Sequence, residues 1–85
     1  MYTVYVLVSQ KNGKRYTGFT TKSPELRLKE HNLGSNTWTR QNGPFDLLYN
    51  ESFSSRKDAL HREKYMKSAA GRIFLKNTLF QSKGM

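Results

Sequence analysis

Residues 3–20 read TVYVLVSQKNGKRYTGFT. Two runs rich in β-branched and aromatic residues, Thr3 to Val8 and Arg15 to Thr20, flank Lys11-Asn12-Gly13-Lys14. Such side chains fit a pleated, half-buried surface. Asn-Gly between two of these runs is the strongest short hairpin signal, because both residues tolerate the positive φ of a tight turn. The stretch therefore predicts an antiparallel hairpin. With Asn12-Gly13 as a two-residue turn, Lys11 pairs with Lys14, and Tyr5 falls opposite Thr20. Tyr5, Leu7, Ser9, Tyr16, Gly18 and Thr20 then share one face. A two-residue slip keeps Tyr5 and Tyr16 together; a one-residue slip separates them.

Outward from the hairpin, Ser23-Pro24-Glu25 is a helix start, with Ser as N-cap, Pro at the first helical position and an acid in the first turn. The helix runs to about Leu33 and stops at Gly34. Arg27 and His31, four apart, are neighbours on one face, whereas Leu26 and Leu33 mark another. Residues 34–44, GSNTWTRQNGP, read as a loop carrying Trp38 and Arg40. Phe45 to Phe53 predicts a third strand beside the hairpin. Ser54 or Ser55 caps a second helix, with Asp58 placed as the capping-box partner of Ser55. Its apolar stripe is Ala59, Leu60, Met66 and Ala70, with Glu63 at the centre and Arg62, Lys64 and Lys67 fanning outward. Gly71 is expected to break or bend this helix, leaving Arg72 to Phe80 as a short last one. The expected class is α+β, a small three-stranded antiparallel sheet flanked by helices in the order ββαβαα. Residues 1–80 form one domain and residues 81–85, QSKGM, a frayed tail.

Composition agrees and narrows the function. Eighty-five residues suit a single domain with a modest core. Eleven aromatics argue against disorder. The absence of cysteine excludes a disulfide scaffold, a zinc finger and a cysteine nucleophile, and fits a reducing cytosol. The first residues lack a basic signal-peptide start, and their apolar run is too short to span a membrane. A cytoplasmic protein without membrane attachment is the expectation. Fifteen basic residues against six acidic ones give a net charge of +9, which points to a polyanionic partner. Nucleic acid is the natural one, because neutralising phosphates releases condensed counterions.

The polar residues available for chemistry are sparse: Tyr5, Tyr16, Arg27, His31 and Glu63. A carboxylate within an apolar stripe is costly unless paired or bound to a cation. Glu63 therefore reads either as a salt bridge to Arg27 or Arg62, or as a ligand for one Mg²⁺, which needs only one or two protein carboxylates. Tyr5 and Tyr16 on one sheet face could be packing. Of the two, Tyr5 is the better functional candidate. Arg27 and His31 could be a solvated helix face. Together these residues supply a cation, a metal ligand, a phenol and an imidazole on a basic domain.

The order of these residues resembles the GIY-YIG nuclease superfamily. Tyr5 within Val4-Tyr5-Val6, followed eleven residues later by Tyr16-Thr17-Gly18, is similar to its two tripeptides. Leu26-Arg27-Leu28-Lys29-Glu30-His31-Asn32 is similar to its first helix, and Thr39-Arg40 and Arg62-Glu63-Lys64-Tyr65 to later segments. The resemblance spans residues 2–80 and is strongest to small stand-alone bacterial proteins related to the nuclease domain of the bacterial excision-repair endonuclease. Val4, Val6 and Thr17 depart from the motif residues at their positions. Asn77 is an imperfect match to an asparagine that some members use.

The resemblance implies a metal-dependent endonuclease acting on DNA, structure-selective or nonspecific, in repair or recombination. It implies one Mg²⁺ or Mn²⁺ held by Glu63, with Tyr5, Tyr16, Arg27, His31 and Glu63 as the catalytic set. In that reading Tyr5, with Tyr16 as the less favoured alternative, takes the proton of the attacking water, and His31 orients the tyrosine or shares the proton. Arg27, with Lys14 or Lys22, lowers the phenol's pKa. Arg27 also neutralises the phosphate, a role suited to its planar fork. Lys14, Arg15, Lys22, Arg40, Lys64 and Lys67 are the candidate backbone contacts, tracking phosphates without reading bases. DNA is the favoured substrate, with RNA as the variant. Two other classes stay open: a DNA- or RNA-binding module that keeps the fold without cleavage, and a protein-interaction module built on Trp38 and the basic loop.

Overall fold

A computed structural model describes residues 1–34 and 36–83, with side chains described as far as Thr78. The elements are β1 (Tyr2–Ser9), β2 (Arg15–Thr20), α1 (Pro24–Asn32), α2 (Thr37–Asn42), β3 (Phe45–Phe53), α3 (Arg56–Lys67) and α4 (Ala69–Lys83). The sheet is antiparallel in the order β2-β1-β3. The expected ββαβαα order holds, with the short α2 added to it.

β1 is the central strand and is buried on both faces, which is why its sequence is almost continuously apolar. Val4 and Val6 pack with Ala59, Met66 and Leu75 of α3 and α4. Tyr5 and Leu7 point the other way, into a cluster with Phe45, Leu28 and Trp38 beneath α1 and α2. Two small cores thus sit on opposite faces of one thin sheet. β3 serves both through a bulge. Val6 pairs with Tyr49 but Leu7 pairs with Leu47, so Leu48 is an extra residue. Phe45 and Leu47 consequently join the α1/α2 core, and Tyr49 and Phe53 join the α3/α4 core, although all four positions are odd.

The hairpin departs from the expected register by two residues: Tyr5 pairs with Gly18 and Leu7 with Tyr16. A two-residue hairpin turn needs positive φ at its first central residue (type II′) or at both (type I′), and here Asn12 lacks it and Gly13 alone of the two has it (φ 74°). A four-residue loop forms instead. The Ser9 hydroxyl accepts from the Lys11 and Asn12 amides at 3.0 and 3.2 Å, and the Asn12 side chain accepts from the Lys14 amide at 3.0 Å. The slip is even, so Tyr5 and Tyr16 still share a face.

Ser23 caps α1 as expected, accepting from the Leu26 amide at 3.1 Å. Residues 37–42, expected as loop, form α2. Its capping box is built without an acid: the Asn36 side chain accepts from the Thr39 amide at 2.9 Å, and the Asn36 amide donates to the Thr39 hydroxyl at 3.1 Å. Ser55 caps α3, accepting from the Asp58 amide at 3.4 Å.

The break after α3 lies at Ser68, which is extended, and not at Gly71. The Ser68 hydroxyl accepts from the Gly71 amide at 3.2 Å, so Ser68 both ends α3 and starts α4. Gly71 is buried in the first turn of α4. A Cβ there would fall on the Tyr65 carbonyl oxygen and within 2.5 Å of the Met66 Cα. Ala70, expected in the apolar stripe, is exposed because α4 turns away at Ser68. α4 continues through Lys83 into the stretch expected as tail, whose Gly84 and Met85 lie outside the described residues. Among the described residues no helix is long and apolar enough to cross a membrane.

Candidate functional site

A cleft of about 800 Å³ runs along the outer edge of β2, between the α1/α2 wall and the α3/α4 wall. Its chemistry converges on Tyr5. The phenol leaves the central strand and crosses Gly18, its partner on β2, where a Cβ would collide with the hydroxyl. Only glycine lets the ring reach the cleft. The Tyr5 hydroxyl lies 3.0 Å from His31 Nε2, with the Arg27 guanidinium close enough to act on it electrostatically. Arg27 spans the group: Nη1 donates to Glu30 Oε1 at 2.7 Å, and Nη2 lies 3.4 Å from His31 Nε2. The helical spacing noted in the sequence brings Arg27 and His31 to one phenol.

These contacts favour one assignment of the protons. A guanidinium only donates, so His31 Nε2, 3.4 Å from Arg27, is assigned as the acceptor, and the Tyr5 hydroxyl 3.0 Å away as its donor. Burial, and then the positive charge of Arg27, push the His31 pKa down, so its imidazole is neutral at pH 7. Burial pushes the Tyr5 pKa up. Arg27 pulls it the other way and loses, with Tyr16 and Glu63 adding to the rise. This corrects the expectation of a depressed phenol. Lys22, one of the cations expected to help, pairs with Glu30 at 3.0 Å instead.

A consequence is measurable. The folded His31 pKa lies below the unfolded value of about 6.5, so its contribution to stability is complete above that pH and is lost as pH falls through the folded pKa. The melting temperature is expected to drop between pH 7 and pH 5. A His31→Gln variant, which cannot titrate, is expected to show a shallower drop by differential scanning fluorimetry.

Tyr16 lies half-buried at the β2 edge, its ring centroid 4.6 Å from that of His31, 6.3 Å from that of Tyr5 and 5.6 Å from that of Trp38. Glu63 faces these groups from α3. It is partly exposed, and its partner is Lys67, 3.1 Å away one turn on. The expected partners are engaged elsewhere: Arg27 with Glu30, and Arg62 with Glu51 at 2.8 Å. Of the candidate backbone contacts, Arg15 and Lys67 line the cleft. Lys14, Lys22, Arg40 and Lys64 do not. Arg40 bonds the Gly34 carbonyl and the Thr37 hydroxyl, and Lys64 is exposed on α3. The sequence reading missed Arg72 and underused Trp38, both of which line the cleft. A basic residue directly after the α3–α4 corner was the available signal for the first.

The model of the GIY-YIG catalytic domain matches residues 1–77, nearly the whole described chain. The chain belongs to the GIY-YIG family. It is 40% identical over 68 residues to a UPF0213 protein of Halobacterium salinarum, covering 79% of this chain and 86% of that one. To a UPF0213 protein of Staphylococcus haemolyticus it is 39% identical over 66 residues, covering 76% and 78% respectively. The solution NMR structure of the UPF0213 protein BH0048 from Bacillus halodurans superposes with a TM-score of 0.55 at 32% identity, covering 92% of this chain and 85% of that one. The GIY-YIG domain is a nuclease domain, so membership assigns the protein to a nuclease family.

GIY-YIG domains generally use a divalent metal ion. Among the described residues no three of His, Cys, Asp and Glu gather anywhere, and Glu63 is the carboxylate that lines the cleft. That donor set fits Mg²⁺ or Mn²⁺, which accept one protein carboxylate and fill the shell with water and phosphate oxygens. It does not fit zinc, which wants three or four nitrogen or sulfur ligands.

Proposed function

We propose that this GIY-YIG protein is a metal-dependent endonuclease that hydrolyses phosphodiester bonds, with DNA as the favoured substrate and a cytoplasmic role in repair or recombination. One observation carries the reading: Tyr5, backed by the buried His31 and flanked by the half-buried Arg27, opens on the same cleft as the Glu63 carboxylate. A module that only binds nucleic acid has no use for a neutral imidazole paired to a phenol at the floor of its groove.

Tyr5 is the proton acceptor in this mechanism. Its hydroxyl donates to His31 Nε2, which leaves an oxygen lone pair for the attacking water. As the water oxygen bonds to phosphorus, the water proton passes to Tyr5 and the phenol proton passes to His31. This relay never requires a free phenolate, which the raised Tyr5 pKa makes scarce at neutral pH. The bond from phosphorus to the 3′ oxygen breaks, and that oxygen takes a proton from solvent. Arg27 neutralises charge developing on the phosphoryl oxygens from a position braced by Glu30. Glu63 would hold the divalent ion, which when bound would supply Lewis-acid charge to the reacting phosphate. Arg15 and Lys67 hold flanking phosphates.

The deciding experiment is nicking of supercoiled plasmid and of a branched oligonucleotide with Mg²⁺ or Mn²⁺, for wild type beside Glu63→Ala. Cleavage that needs metal and disappears in the variant is expected. Equal binding by both proteins without cleavage would sink the enzymatic reading and leave a binding module.

A further inference from the structure

The wall of the cleft beside Tyr5 is aromatic, which neither phosphate binding nor hydrolysis requires. Trp38 is half-buried on α2 and lines the cleft next to Tyr16. Its position is well fixed. The Trp38 carbonyl accepts from the Asn42 side chain at 2.9 Å, and the indole stacks on the buried Phe45 ring with centroids 5.5 Å apart. The adjacent Thr39 is almost fully buried and completes the capping box of α2. A side chain held this way, yet open to the cleft, is a preformed surface for a flat ligand.

The depth of the cleft bears on which flat ligand. The Tyr5 hydroxyl sits at the floor on a side chain only 1% exposed. The whole space, about 800 Å³, is in the range that accommodates a small organic ligand such as a single nucleotide. A phosphodiester brought to that floor carries its attached nucleoside into the cleft. In a duplex the base is held in the stack by its pair and neighbours. In a single strand, a flap or a gap it is free to turn outward. Arg15, Arg27 and Arg72 line the same space and supply the charge that tracks a backbone.

We infer that the cleft takes an unpaired nucleotide, its base lying against the Trp38–Tyr16 wall beside the phosphate held at Tyr5 and Arg27. The substrate class is a polynucleotide with a single-stranded segment at the cleavage position. This rests on the nuclease reading for its consequence in cleavage, but the binding it describes needs neither metal nor turnover. Stacking of a base on an aromatic side chain tolerates any base, so no sequence preference is expected from it.

Trp38 is the chain's single tryptophan, so its fluorescence reports on the site directly. In EDTA, where no hydrolysis occurs, a thymidine oligomer is expected to quench Trp38 emission and to bind at least tenfold more tightly than a blunt duplex of equal length. A uridine oligomer in parallel separates DNA from RNA: similar binding by both means the base alone is read. Trp38→Leu fills the space over Phe45 without an aromatic face. It is expected to weaken single-strand binding, read by anisotropy of a labelled oligomer, by roughly 5- to 150-fold, the range for one lost stacking contact. Its duplex binding should change less than twofold, and a melting curve checks that it folds.

Duplex binding as tight as single-strand binding would overturn the inference. Equal losses on both substrates in folded Trp38→Leu would do so as well, as would no loss on either. Failure of the plasmid assay, by contrast, leaves quenching and strand preference intact. The two readings therefore fail separately.

Discussion

Tyr5→Phe is expected to slow phosphodiester cleavage by about 10²- to 10⁴-fold, the usual contribution of a positioned proton acceptor. The substitution removes one oxygen and leaves the ring that packs with Leu7 and Phe45. His31 Nε2 keeps the Arg27 guanidinium as a donor, so no buried acceptor is stranded. The stability cost is that of one hydrogen bond, about 0.5–1.5 kcal/mol. Single-turnover cleavage with saturating metal, beside a melting curve, separates the two quantities. Tyr16→Phe is the control, because the Tyr16 ring belongs to the aromatic wall. If Tyr16→Phe abolished cleavage while Tyr5→Phe retained it, the proton acceptor would be Tyr16 and the Tyr5–His31 relay would be wrong.

The second large effect is on folding. Gly71→Ala is expected to destabilise the protein by about 3 kcal/mol or more, which for a domain of this size lowers the melting temperature by roughly 12 °C or more. The added methyl has nowhere to go. It meets the Tyr65 carbonyl oxygen and the Met66 Cα, and main chain at the end of a helix cannot rotate aside as a side chain can. Relief requires α4 to shift against α3, which disturbs Met66 and Leu75 in the core. With a total stability of roughly 4–13 kcal/mol for this length, the variant sits near the threshold of folding. Gly13→Ala is the internal comparison. Gly13 has positive φ but open space around it, so only backbone strain of about 1–2 kcal/mol is at stake. A thermal denaturation series in which Gly13→Ala cost more than Gly71→Ala would contradict the close approach of the two helices.

The contrast between those glycines shows what a sequence displays and what it conceals. Gly13 announces itself, because Asn-Gly between two β-rich runs has a local cause. Gly71 looks like a helix breaker, and its true reason is a neighbour that only the folded chain brings close. The same division runs through the site. Arg27 and His31 were legible as a pair because helical spacing makes them neighbours, and Tyr5 and Tyr16 because strand alternation survives an even slip in register. The partner of Glu63 was not legible as assigned. Arg27 and Arg62 are taken by Glu30 and Glu51, the latter reached through β3, which leaves Lys67 one turn away. α2 escaped notice because its capping box uses threonine where glutamate or glutamine is the familiar signal. The direction of the Tyr5 pKa could not be read at all, since it is a contest between burial and one cation.

The extra residue at Leu48 gives β3 an arithmetic of its own. Upstream of it odd positions serve one core, and downstream odd positions serve the other. Losing Leu48 itself restores plain alternation and leaves both halves on their present sides, Phe45 and Leu47 toward the α1/α2 core and Tyr49 and Phe53 toward the α3/α4 core. Losing one residue elsewhere in the strand, with the bulge kept, turns the residues beyond the loss toward the opposing layer. The bulge is therefore where β3 absorbs the loss of a single residue, and other drift in chain length belongs in the loops on either side of the strand.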